Sequence, residues 1–274
     1  MQWEFAGRLG PEPGRYVIRR FAGDDPRHVV VIGGLEAPRR RRFGGRRARR
    51  APAGAAPAPV EVTRATVIAT DPLPEDGAGA WLERAVRDGE ATVAEALVLL
   101  NRTIHGHRLA AADPYVSEIG AHQALATRVG FGSGEQVAEG HWEAARALPP
   151  PRPSRSVLLT PQQRLAALLS GRDVALACEE LALRARLDLA QGRGREAALQ
   201  LAAAVDAALA ELEGWRATRA VAQRLDELHG HREAVGAAAR AALEGGLDPA
   251  HLEAVEAALG RLEATLRART ASLE

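Results

Sequence analysis

The sequence predicts an α+β N-terminal unit of three to four strands with helices, followed by an all-α helical bundle, so that helix dominates overall. Three observations predict it. The chain is 46% apolar but only 4% aromatic, which leaves alanine, leucine and valine as the apolar stock, and the first two favour helix. Runs of β-branched residues such as Val29-Val30-Val31-Ile32 lie in the first half. The second half instead repeats apolar residues by threes and fours, the spacing that keeps them on one helix face.

Residues 15–20 and 28–35 read as two strands, joined by the turn residues Ala22-Gly23-Asp24-Asp25-Pro26. Such a hairpin is marginal alone, so residues 1–37 are expected to pair with the unit that follows. Residues 38–59 are arginine, glycine, alanine and proline, with Phe43 the only large apolar side chain. That composition cannot offset its ordering entropy, and the expectation is a disordered linker. Residues 60–70 form a third strand, ended by Asp71-Pro72-Leu73-Pro74.

Helices follow over residues 78–88 and 90–112, the longer carrying Val93, Leu97, Leu100 and Ile104 on one face. Asp113-Pro114 has the chemistry of an N-cap followed by proline at the first helical position, and predicts another short helix. Residues 124–131 are a fourth strand, and Gly132-Ser133-Gly134-Glu135-Gln136 leads into a helix ending near Leu148. Residues 60–148 therefore read as one small α+β unit. Pro149-Pro150-Pro151-Arg152-Pro153 opens a stiff spacer over residues 149–159.

Residues 160–272 read as a helical bundle, opened by the capping box Thr160-Pro161-Gln162-Gln163. Its clearest part is a hairpin around Gly192-Arg193-Gly194. One stripe is Val174, Cys178, Leu181 and Ala185; the other is Ala198, Ala202, Val205, Leu209 and Leu212. A three-residue connection forces two such helices to fold back antiparallel. A helix over residues 217–243 is expected to break at Gly230, and Asp248-Pro249 caps the last helix. The stripe of that helix, Leu252, Val255, Leu259, Leu262 and Leu266, suits a bundle core, with a coiled-coil seam in a homodimer as the alternative.

Leu187, Leu189, Gly192-Arg193, Glu196-Ala197-Ala198 and Leu201 resemble the turn of a tetratricopeptide-type helical hairpin. There is no second copy at a period near 34, and a solenoid needs about three repeats. The resemblance implies antiparallel helix pairing and no more.

All 36 basic residues are arginine, and the formal net charge is +1. Residues 39–50 hold eight arginines and no acid, so the rest of the chain carries −7, the total of +1 less those eight. Guanidinium groups fork onto phosphates and release counterions, which gives salt-sensitive, sequence-tolerant binding. The reading is a non-enzymatic accessory protein that binds nucleic acid, RNA or DNA, through Arg39, Arg40, Arg41, Arg42, Arg46, Arg47, Arg49 and Arg50. The alternative is a protein-interaction or dimerisation scaffold formed by the C-terminal helices, with an incidental basic linker.

A second alternative is a metal-dependent enzyme. His105, His107, Asp113, Glu118 and His122 fall close together, with His141 beyond, but their spacing matches no metal signature, and no metal, cofactor or catalytic residue is assigned. Gly130-Phe131-Gly132-Ser133-Gly134 has the place of a phosphate loop without its spacing or its lysine. Trp142 and Trp215 read as anchors between packed elements, and Asn101 as a candidate for a buried hydrogen bond. The single cysteine, Cys178, precludes an intramolecular disulfide, and no apolar run reaches about 18 residues. The expectation is a cytoplasmic protein without a membrane span.

Overall fold

The computed structural model describes residues 1–35, 60–150 and 161–272. Two compact units divide the chain, Met1–Arg152 and Pro153–Glu274. The fold is α+β in the first and all-helical in the second.

The first unit is built on six strands: β1 (Gln2–Ala6), β2 (Gly14–Ile18), β3 (His28–Leu35), β4 (Val62–Ala69), β5 (Ala124–Phe131) and β6 (Ala144–Ala147). Their order across the sheet is β2-β3-β4-β1-β5-β6, and each neighbouring pair is antiparallel. β1, in the interior of the sheet, is not among the sequence-predicted strands. Its alternation explains it: Trp3 and Phe5 face the core, while Gln2 and Glu4 face the other way.

Two helices, α1 (Ala78–Arg87) and α2 (Gly89–Ala111), cover one face of this sheet. Leu97, Leu100 and Ile104 of α2 pack on Trp3, Phe5, Val30, Ile32, Ala65 and Val67. Leu82 and Ala85 of α1 meet Val129 and Leu148 in a smaller cluster.

Two expected helices in this unit are absent. Asp113 accepts a hydrogen bond from the Tyr115 amide at 2.9 Å, so its carboxylate closes a local turn instead of capping a helix. After Gly132 the chain makes a 3₁₀ turn, Glu135–Glu139, and then returns as β6 instead of continuing as helix to Leu148. Gly140 stops the turn in the left-handed region at φ 89°. Gly130 then admits the returning strand, since a Cβ there would lie 2.4 Å from the Trp142 ring.

The second unit has α3 (Pro161–Leu169), α4 (Ala177–Ala190), α5 (Gly194–Glu211), α6 (Arg219–Leu243) and α7 (Pro249–Ala271). α4 to α7 pack each on the next, and α7 also meets α4, so the four close into a bundle. Asp248 caps α7 by accepting from the His251 amide at 2.8 Å.

Two details depart from the pattern read in the sequence, and the α7 stripe follows its bundle-core reading. α6 runs unbroken through Gly230, because packing of Val221, Leu225, Leu228, Val235 and Ala238 outweighs one glycine's propensity. Val174 precedes α4 and is exposed, so the α4 face is Cys178, Ala182 and Ala185. The α7 stripe lies inside its own bundle, with Val255, Leu259 and Leu262 fully buried. Among the described residues no helix is long and apolar enough to cross a membrane.

Candidate functional site

The eight arginines of residues 39–50 lie outside the described residues. What surrounds their point of attachment is described. The chain leaves the sheet after Leu35 and re-enters at Val62, and these two residues are paired across β3 and β4. Two register steps further in, Gly33, Arg64, Glu4 and Ala126 form a row across four strands.

The side chains of that row and of the row two steps on (Val31, Thr66, Gln2 and Arg128) lie on the face away from α1 and α2, where their polar members form a cluster. The Glu4 carboxylate takes both Arg128 at 2.8 Å and Arg64 at 3.6 Å. Arg64 donates from Nη1 to the Glu139 carbonyl at 2.6 Å. Buried Gln2 donates to Thr66 at 3.0 Å and to the Ala138 carbonyl at 3.3 Å. These bonds hold the Glu135–Glu139 turn on the sheet. Beyond that turn the face is half open: Val17 is exposed and Val29, Val31, Leu35 and Ile68 are partly so.

The histidine group disperses. His105 Nδ1 lies 3.3 Å from Glu118, whose side chain is buried. His107 is two residues along the same helix, where successive side chains diverge, and it crowds Gly10 instead. Asp113 serves its own turn, His122 stands in the 3₁₀ turn Ala121–Gln123, and His141 is 4.0 Å from Glu139. Among the described residues no group of three or more histidine, cysteine or acidic side chains could hold a metal. Asn101, fully buried in α2, donates to the Ile119 carbonyl at 2.9 Å and accepts from its amide at 3.0 Å. That double bond to the backbone fixes the loop that carries Glu118.

The glycine loop is occupied by its own chain. The Ser133 hydroxyl donates to the Glu143 carboxylate at 3.0 Å, which places negative charge where a phosphate would need donors. Cys178 is inert. Burial first, and then the Glu211 carboxylate, push its thiol up to about 12. Glu211 itself accepts from the Ala177 and Cys178 amides, both at 3.0 Å, and so caps α4 from the end of α5. Burial opposes ionisation of Glu211, but these amides, the thiol and Arg269 outweigh it and hold the carboxyl below the ordinary range.

Among the described residues, one dense group of charges is absent from the sequence reading. Arg269 of α7 is almost wholly buried, with Nη2 2.5 Å from Asp173 and Nη1 3.6 Å from Glu179. Its guanidinium stands 4.8 Å from the centre of the Trp215 ring. From the other side Arg164 of α3 reaches the same two carboxylates, at 3.3 Å and 2.5 Å. Burial alone would raise the Asp173 carboxyl; the Val174 amide and the two guanidiniums prevail and lower it. A similar staple closes the α4–α5 turn, where Asp188 takes Arg193 at 2.6 Å and the Gln200 amide. With every formal charge in the Arg269 node partnered, its evident work is to join α3, α4 and α7.

An open groove of about 590 Å³ runs between α5 and α6, floored by Ala202, Val205 and Gly230, and the Arg232–Asp206 pair crosses it at 2.7 Å. The chain matches no known protein family, and no curated protein or solved structure is similar to it.

Proposed function

We propose that this protein binds nucleic acid without sequence preference, through Arg39, Arg40, Arg41, Arg42, Arg46, Arg47, Arg49 and Arg50, as a cytoplasmic accessory protein. The observation that carries the reading is charge segregation: eight arginines without an acid in residues 39–50, on a chain whose remainder is net −7. RNA or DNA is the partner, because closely spaced guanidiniums with a single aromatic, Phe43, among them recognise the phosphate backbone and little of the bases. The insertion point supports it, since a segment tied at Leu35 and Val62 starts and ends side by side, at the paired ends of two neighbouring interior strands. Arg64 and Arg128 sit two and four register steps from those ends. A lone buried thiol, Cys178, is consistent with a reducing compartment.

The test is fluorescence anisotropy with labelled single-stranded 20-mers of several sequences, RNA and DNA, over a salt series. Binding is expected to vary little with sequence, and log K to fall with log salt at a slope of about −6 if all eight arginines engage. Replacing the eight by glutamine should remove the salt-sensitive part. Unchanged binding in that variant overturns the reading.

A further inference from the structure

We infer that α3 is a detachable strap, held on the helical bundle through the guanidinium of Arg164 and loosened by salt. Every other helix of this unit sends side chains into the shared apolar cluster. α3 sends none: none of its nine residues is buried, and none packs even at the margin of that cluster. Leu165 and Leu169 are 54% and 81% exposed. The side-chain attachment is the pair of contacts from Arg164 to Asp173 and Glu179, with Arg164 itself 31% exposed, and the turn that follows adds bonds from the Arg172 and Asp173 amides to the Ala167 carbonyl of α3 at 2.9 and 3.2 Å.

The two carboxylates do not depend on Arg164. Asp173 keeps Arg269 at 2.5 Å and its hydrogen bond from the Val174 amide at 2.8 Å. Glu179 keeps the Leu176 amide at 3.1 Å, with Arg269 at 3.6 Å. Loss of α3 therefore strands no buried charge, and the bundle closes beneath it. Arg164 is the exposed member of these pairs, at 31% against 5% and 14% for the two carboxylates, and salt screens such pairs less than fully exposed ones, so added salt loosens the attachment by a several-fold factor and does not abolish it. A nine-residue helix is also marginal by itself in water, so a released α3 loses its helical hydrogen bonds. Release uncovers the outer edges of Asp173 and Glu179 and frees the leucines of α3.

Hydrogen exchange of the full-length protein, read by mass spectrometry at low and high sodium chloride, tests this. Amides of residues 161–169 are expected to exchange on the order of 100-fold faster than those of α5 at low salt, and several-fold faster again at high salt. Arg164→Gln should give the high-salt rate at low salt, with α4 to α7 and the unfolding midpoint unchanged, and Arg164→Lys should fall between. The inference fails if residues 161–169 are protected as well as α5. It fails equally if salt and Arg164→Gln leave their exchange unaltered, or if Arg164→Gln loosens α4 to α7 together with α3.

Discussion

In the sheet unit the largest buried side chain is Trp3, packed with Phe5, Leu100 and Ile104. In the helical unit it is Arg269, and most of the surrounding core is alanine and leucine. One unit fills its interior with a few broad side chains from an interior strand. The other brings helices close through small ones, such as Ala182, Ala185, Ala198, Ala204 and Ala208, and closes one end with a charged node. Close packing is reached both ways, but the two cores should fail differently. The first is vulnerable to loss of volume, the second to loss of charge balance.

The largest effect should come from Trp3→Ala. Truncating a fully buried tryptophan removes its transfer energy and leaves a cavity, at a cost of about 3–5 kcal/mol. Amides of β4 and β5, which flank β1, should then exchange faster in proportion. Among the described residues the Trp3 indole N–H meets no hydrogen-bond partner, so Trp3→Phe should cost far less than the alanine variant. Equal losses from the two would show that the indole matters for something other than the space it fills.

Next is Arg269→Ala, expected to cost about 3 kcal/mol, the lower end for breaking a buried pair, because Arg164 still faces Asp173 and Glu179. Asp173 and Glu211 carry folded pKa values below their ordinary 3.8 and 4.5. Their contribution to stability is therefore complete above those unfolded values and is lost as pH falls through the folded ones. Urea midpoints of the helical unit should drop below about pH 4 in the wild type, and less steeply in Arg269→Ala. An identical acid profile in both proteins would separate the node from the acid response.

These two residues also mark what was legible in the sequence. The helical hairpin and the last helix follow from periodicity, because each repeats its apolar residues long enough to declare a face, and strands β3 and β4 follow from their β-branched runs. Strand β1 is five residues long, and its alternation of Gln2, Trp3, Glu4 and Phe5 is too short to stand out, although its period is two throughout. The Arg269 node left a clearer trace. The α7 stripe steps 255, 259, 262, 266, and the next position in that rhythm is Arg269; the α4 stripe, 178, 181, 185, arrives in the same way at Asp188. A charge at a core position at the end of a stripe is a signal for a buried pair, but its partner comes from contacts that spacing cannot supply. Asp173 is 96 residues away. The eight arginines of residues 39–50 are legible as charge alone, which is why the binding reading rests on composition and on the Leu35–Val62 attachment.

The smallest effect concerns the point where local propensity and packing disagree most plainly. Gly230 lies in the middle of α6, exposed, with ordinary helical sign of φ and, among the described residues, nothing beyond its own helix backbone within 4 Å of where a Cβ would stand. Gly230→Ala should therefore stabilise the helical unit by about 0.5–1 kcal/mol, since alanine loses less backbone freedom on folding and nothing obstructs its methyl. A rise in the urea midpoint without a change in slope is the expected result. A helix that bent at Gly230 in solution would need the freedom that alanine removes, so a lowered midpoint would mean that propensity, and not the packing of Val221 through Ala238, decides the course of α6.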